Sequence, residues 1–214
     1  LNPSSPISEQ YRTIRTNIQF ATAGNKQIKV LVVTSPGPSE GKSTSSANLA
    51  AVFAQSGQRV LLVDADMRKA TVHKTFGLSN DTGLSTVLST SSMGESVIQR
   101  TTVPNLSVLT SGPKPPNPSE LLGSQRMLQV VDELRSAFDV VIFDMPPIGA
   151  VTDAQIMASK ADGTILVLRE NVTRKEEAMK AKQLLQMVNA NILGVIYNGA
   201  STDKDQGYYY YYGN

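Results

Sequence analysis

The sequence predicts an α/β protein with a mostly parallel central sheet flanked by helices. Short, near-continuous apolar runs recur at residues 30–33, 60–63, 106–109, 140–143, 164–168 and 192–197. Runs that do not alternate in polarity belong to strands covered on both faces. Helical patterns separate most of them, the order that builds a parallel sheet. At 214 residues the chain suits one unit of ordinary size, able to bury roughly 70% of its unfolded surface.

Ser8 is placed to cap a first helix running to about Phe20, with Tyr11, Ile14 and Ile18 as its apolar stripe. Residues 21–27 read as a linker. A single domain is expected, made of an N-terminal helix and linker (1–27), a core (28–198) and a tail (199–214). The helix that begins at Lys42 closes at Gly57. GPKPPNPSE, residues 112–120, holds four prolines and reads as an extended connector, after which Ser119, following Pro118, opens a long helix to about Ala137. Thr152 with Gln155, and Thr173 with Glu176, have the spacing of capping boxes. Met127, Met157, Met179 and Met187 fall on helical patterns and read as core filler. His73, the only histidine, reads as a surface or packing residue in a helical or turn segment, 71–76. The final STDKDQGYYYYYGN has no periodicity and is expected to be mobile.

The charge is too balanced to imply nucleic acid as a direct partner, with 20 basic and 18 acidic residues. Cysteine is absent, which excludes disulfides, thiolate chemistry and a cysteine zinc site. No apolar run approaches the ~18 residues of a membrane span, so a cytosolic protein is expected. The chain opens on Leu1 rather than Met, which leaves room for a preceding segment.

TSPGPSEGKST, residues 34–44, follows an apolar strand and precedes a helical pattern. A phosphate loop needs amides that converge on a concavity, a lysine that reaches the β- and γ-phosphates, and a hydroxyl for the metal. Gly37, Pro38, Ser39, Glu40 and Gly41 supply the turn, Lys42 the cation and Ser43 the hydroxyl, with Thr44 beside it at the positive end of the helix dipole. The usual spacing asks for glycine five residues before Gly41, where this chain has Pro36 followed by Gly37. ATP with Mg2+ is the expected ligand. Two further strand runs end in acids: VLLVDADMR (60–68) carries Asp64 and Asp66, and VVIFDMPP (140–147) carries Asp144. An acid after four apolar residues is positioned to receive a magnesium-bound water at a strand's carboxyl end. Positions i and i+2 share a side, so Asp64 and Asp66 can both turn to the cleft. The plainer alternative is that Asp64 caps a turn while Asp66 pairs with Arg68 or Lys69.

Together these segments resemble the Walker A, A′ and B motifs of the bacterial tyrosine kinases, a P-loop family associated with capsule and exopolysaccharide synthesis. The likeness extends over nearly the whole chain, from SEQYRTIR near the start to the tyrosines at the end. It implies a P-loop NTPase fold of the deviant-Walker, MinD/ParA-like type. It also implies that Lys42 contacts phosphates, that Ser43, Asp66 and Asp144 organise Mg2+, and that Asp64 accepts the proton of a substrate tyrosine. Asn198 resembles the strand-end asparagine that related ATPases set against the adenine edge; a turn-forming role is the alternative. Ala70, where proline often follows the basic pair, and Met145, where threonine is common, depart from the family pattern without removing a charge. A free aspartate near pKa ~4 and a phenol near ~10 differ by about 6 units, roughly 8 kcal/mol for full transfer. Asp64 is therefore expected to orient the phenol and take its proton late.

Five of the seven tyrosines, Tyr208, Tyr209, Tyr210, Tyr211 and Tyr212, are consecutive and follow acids, lysine and glycine, unlike a buried strand. They read as the enzyme's own phosphoacceptors; a sticky aromatic edge and a low-complexity accident are the alternatives. Each phosphate adds about −1.5 to −2 charges, enough to repel the tail from a carboxylate-lined cleft. Glu9, Arg12 and Arg15 recur at three-residue spacing, which by itself suggests a solvated face with one modest pair. The family's Glu-x-x-Arg-x-x-Arg helix implies instead a ring in which one subunit's tail meets the next subunit's site. The same resemblance implies a membrane activator, protein tyrosine substrates and a cognate tyrosine phosphatase as partners, and a place at the inner face of the membrane without insertion. The competing expectation is a deviant-Walker positioning or partitioning ATPase. Those enzymes carry a lysine five residues before the main one, where this chain has Gly37.

Overall fold

The computed structural model describes residues 5–21, 27–90, 94 and 97–200. Its strands are β1 (Val30–Thr34), β2 (Val60–Asp64), β3 (Ile98–Arg100), β4 (Leu106–Leu109), β5 (Val140–Asp144), β6 (Gly163–Arg169) and β7 (Ile192–Asn198). They form one sheet in the order β3-β4-β2-β5-β1-β6-β7, parallel throughout except for β3 against β4. The helices are α1 (Pro6–Ala21), α2 (Lys42–Gln55), α3 (Val72–Phe76), α4 (Leu84–Ser89), α5 (Pro118–Gly123), α6 (Gln125–Ala137), α7 (Asp153–Ala158) and α8 (Lys175–Met187).

Successive residues of the central strands feed opposite cores. Val30, Val32, Leu61 and Val63 pack with Leu122, Met127, Val130, Ala154 and Leu185 of the later helices. Leu31, Val33, Val60 and Leu62 pack with Tyr11, Ile18, Leu49, Phe53 and Val72 of α1 to α3. Both sets are buried, which is why the runs show no alternation. The chain leaves β1 toward β2 and leaves β5 toward β6 on the other side. The connections diverge at the carboxyl ends of β1 and β5, where sheets of this kind bind ligands. The phosphate loop and Asp144 both lie there.

Several expected boundaries move. The cap of α1 is Ser5 rather than Ser8: the Ser5 hydroxyl accepts the Ser8 amide at 3.2 Å, and Ser8 is buried one turn inside. Pro6 then occupies the first helical position, which needs no amide donor. The long helix expected over 119–137 is two helices, because the Ser124 hydroxyl accepts the Met127 amide at 3.2 Å and starts α6 afresh. Neither capping box forms as spaced. Thr152 makes no side-chain cap bond. Thr173 lies two residues before α8, and at the cap Glu177 accepts the Arg174 amide instead. Met127 and Met157 are core, but Met179 and Met187 are 48% and 75% exposed on α8. Gly57 does end α2, at φ 89°, and His73 is half-buried on α3. Strand β3 and helix α4 were not expected from the sequence.

Most of the linker, residues 22–26, and the tail from 201 onward, with Tyr208 to Tyr212, lie outside the described residues. No helix among the described residues is long and apolar enough to cross a membrane.

Candidate active site

The loop after β1 is wound by two left-handed residues, Ser39 at φ 62° and Gly41 at φ 90°. Gly41 permits this at little cost, and it also makes room: a Cβ there would lie 2.0 Å from Asn198 Nδ2. Gly41→Ala adds roughly 1–2 kcal/mol of left-handed strain to that clash. We expect at least about a tenfold loss of nucleotide affinity, read by titration with a fluorescent ATP analogue; unchanged affinity would show that the loop has another way to fold.

Lys42 opens α2 and points back over the strand ends. Its Nζ lies 3.1 Å from Asp66 Oδ2, 3.7 Å from Asp144 Oδ2 and 3.2 Å from the Ser43 hydroxyl. Burial pulls the ammonium pKa down, but the charges of Asp144 and Asp66 outweigh it and hold Lys42 above its ordinary value. Asp144 is fully buried; its Oδ1 accepts the Ser46 hydroxyl at 3.1 Å, while Oδ2 has no hydrogen-bond partner. Burial raises its pKa, against the pull of Lys42, Ser43 and Ser46. A carboxylate oxygen that lacks a hydrogen bond and is held only by the Lys42 ion pair, beside a serine at a helix start, suits a hydrated Mg2+, which takes one or two carboxylates and otherwise waters and phosphates. Among the described residues no cluster of three acids or histidines could hold a metal alone. Asp66 Oδ1 also accepts the Lys69 amide at 3.0 Å. Asp66 thus pairs with Lys42, and Arg68 turns elsewhere.

Asp64 and Asp144 are register partners on adjacent strands, so their side chains project from the same face. Asp64 is fully buried. Its Oδ2 accepts the amides of Thr71 and Val72 at 3.0 Å each, capping α3, and its Oδ1 accepts the Asp66 amide at 3.2 Å. The capping alternative raised from the sequence is therefore real for Asp64, and it coexists with proximity to Lys42 and Asp144. Burial first, and the Asp144 charge second, push its pKa up to about 7, against the downward pull of the two amides and Lys42.

Other expected site residues divide. The Asn198 amide donates to the Glu40 carbonyl at 3.3 Å, which ties the end of β7 to the loop. Pro38, Ser39 and Thr44 are exposed at the mouth, Gly37 is half-buried, and Glu40 is buried. On α1, Glu9 pairs with Arg12. Arg15 donates to the Val52 carbonyl of the same chain at 2.9 Å. Sequence reasoning missed the Arg68 contacts: its guanidinium meets fully buried Asp153 at 3.0 and 3.1 Å and the Ser119 hydroxyl at 2.9 Å. This couples the loop after β2 to the starts of α5 and α7. No local signal announces a pair 85 positions apart.

With this geometry in place, the comparisons with known proteins are specific. An AAA domain family model matches residues 28–192. The chain is 52% identical over 209 residues to tyrosine-protein kinase YwqD of Bacillus subtilis, covering 98% of this chain and 88% of that one. The kinase domain of the Escherichia coli tyrosine kinase ETK superposes with a TM-score of 0.90 at 37% identity, covering 97% of this chain and 81% of that one. The Pyrococcus furiosus cell division ATPase MinD is a more distant likeness, with a TM-score of 0.68 at 26% identity over 81% of this chain and 73% of that one. A mostly parallel sheet with its phosphate loop before α2, shared with both, is that of the P-loop NTPases. The chain belongs to the bacterial tyrosine-protein kinases.

Proposed function

We propose that this chain transfers the γ-phosphoryl group of ATP to tyrosine, and that its first substrates are Tyr208 to Tyr212 of a neighbouring copy. The observation that carries the reading is the convergence of Lys42, Asp66 and Asp144 at the start of α2 with a further carboxylate, Asp64, alongside. Mg2+ delivered with ATP supplies charge neutralisation across the β- and γ-phosphates. Ser43, Asp66 and Asp144 would hold it. Lys42 exchanges its carboxylate partners for phosphate oxygens. A bond forms between the tyrosine oxygen and the γ-phosphorus as the bond from that phosphorus to the β–γ bridging oxygen breaks, and ADP leaves. The phenolic proton passes to Asp64. Bound Mg2+ lowers that carboxyl's pKa, but in the cation-free site it sits at about 7, where the gap to a phenol near ~10 is about 3 units, roughly 4 kcal/mol. That is half the cost expected for an exposed aspartate, and late proton transfer covers it more easily.

Exopolysaccharide or capsule synthesis is the process this kinase would regulate, given its family. A ring of copies assembled through Glu9, Arg12 and Arg15, a membrane activator, further tyrosine substrates and a phosphatase belong to the same reading. Exposed Glu9 supports it on α1, while Arg15 is shared with the fold's own α2. Incubation with Mg-ATP followed by intact mass measurement tests the proposal. A ladder of up to five phosphates, lost when the five tail tyrosines become phenylalanine, is expected. Free phosphate without protein modification would favour a positioning ATPase, and the absence of both products would leave a nucleotide-controlled switch.

A further inference from the structure

A carboxylate inside an anion-binding loop repels the ligand the loop is built for, so Glu40 calls for a physical reason. Its side chain is not turned out to solvent: the residue is 2% exposed, and among the described residues it forms no ion pair with a cation. Oε2 accepts the Gly37 amide at 3.0 Å, across the loop's own turn. Oε1 accepts the Thr173 hydroxyl at 2.5 Å, from the segment that follows β6. That hydroxyl is itself oriented, since it accepts the Arg169 amide at 2.8 Å and so has its proton free to give. The Gly37 carbonyl is occupied as well, by the Ser35 hydroxyl at 2.6 Å.

Two more bonds reach the same stretch from outside. Arg169 Nη1 donates to the Ser39 carbonyl at 2.9 Å, and Asn198 Nδ2 to the Glu40 carbonyl at 3.3 Å. Ser39 is a non-glycine residue in the left-handed region, a conformation that persists only where its surroundings enforce it. The ends of β6 and β7 and the segment after β6 thus hold residues 39 and 40 at three points, and the Glu40 carboxylate carries that grip back to Gly37.

We propose that Glu40, anchored by Thr173, is a positioning residue that keeps the loop wound with its remaining amides open to the phosphates before nucleotide arrives. This rests on the reading of the loop as a nucleotide site. The role is one of hydrogen bonding rather than charge: glutamine in its place still accepts from Gly37 and meets a hydroxyl able to accept as well as donate.

The test is MgADP affinity by calorimetric titration, with melting of the nucleotide-free protein measured alongside. Thr173→Val and Glu40→Ala should bind about tenfold more weakly, the loss that about 1.4 kcal/mol represents. Thr173→Ser and Glu40→Gln should stay within about threefold of wild type. In Thr173→Val the KM for ATP should rise while kcat at saturating ATP holds, a split that general loosening of the fold would not give. Arg169→Met, at an exposed residue, provides an independent lever if either of those variants fails to fold, with a weakening of about threefold or more expected. Wild-type affinity in Thr173→Val, Glu40→Ala and Arg169→Met would overturn the positioning role. A wild-type chain that bound no MgADP would instead sink the nucleotide reading on which it rests.

Discussion

Lys42→Met should cut phosphoryl transfer by about three orders of magnitude, the scale of losing a group aimed at developing charge, and should also destabilise the nucleotide-free fold. The second effect follows from what surrounds the ammonium. Asp144 is fully buried with an oxygen that has no hydrogen-bond partner, and Asp66 is its neighbour in the same ion pair. Removing one partner of a buried pair costs about 3 kcal/mol or more, a fall in Tm on the order of 6–12 °C for a domain of this size. Burial raises the Asp144 pKa, so without Lys42 its protonation relieves the loss at low pH. The deficit should therefore be larger at pH 8 than at pH 5, measured by calorimetry, with transfer followed by radiolabel. An inactive variant with wild-type Tm at both values would mean that the lysine does not anchor these acids.

Asp64→Asn should slow transfer about a hundredfold, typical of removing a general base, and erase the acid limb of the pH profile. In wild type the carboxyl sits at about 7 without a bound cation. Below that value it is protonated and cannot receive the phenol's proton, so kcat should climb with pH and level off above it. Saturating Mg2+ favours the ionised form and should move the climb to lower pH. Asp64→Ala is the harsher change, since it leaves the amides of Asp66, Thr71 and Val72 without their acceptor. Each unsatisfied buried amide costs roughly 1–3 kcal/mol, so loss of ATP affinity in that variant reports the collapse of α3 rather than contact with nucleotide. A pH profile in Asp64→Asn that kept its acid limb would remove Asp64 as the proton acceptor. The same group shapes stability. Its folded pKa lies above the unfolded value of ~3.9, so the folded chain binds more protons between about pH 4 and 7, and its contribution falls as pH rises through that window.

The parts of this molecule that were legible in the sequence are those where one residue type meets one environment. Strands β1, β2 and β4 to β6 were readable because both faces are buried, or nearly so, whereas β7 was readable from its apolar composition alone, since Val195 and Tyr197 are more than half exposed at the edge of the sheet. Strand β3 is two half-buried residues and an exposed arginine on an antiparallel edge, and α4 is six residues long; neither is long enough to show a period. The break between α5 and α6 hides because the apolar spacing continues through it, although Gly123 followed by Ser124 was a usable stop-and-start signal. At the site, the loop and the strand-end acids were visible as types and spacings. Their environments were not. Asp64 was assigned an ordinary carboxylate pKa because sequence does not reveal that it lies beneath α3 beside Asp144. Glu40 with Thr173, and Arg68 with Asp153, meet across 133 and 85 positions, joined only once the sheet order is known.

Because Asn198, at the end of β7, touches the phosphate loop, the chain leaves the sheet beside the proposed catalytic cleft. Tyr208 follows Asn198 by ten positions, a contour of at most about 35 Å. Under the proposed tail phosphorylation, reach alone does not forbid a subunit from modifying itself, and a preference for a neighbour would have to be imposed by how copies crowd that cleft. Kinetic order in protein concentration would then serve as a gauge of assembly.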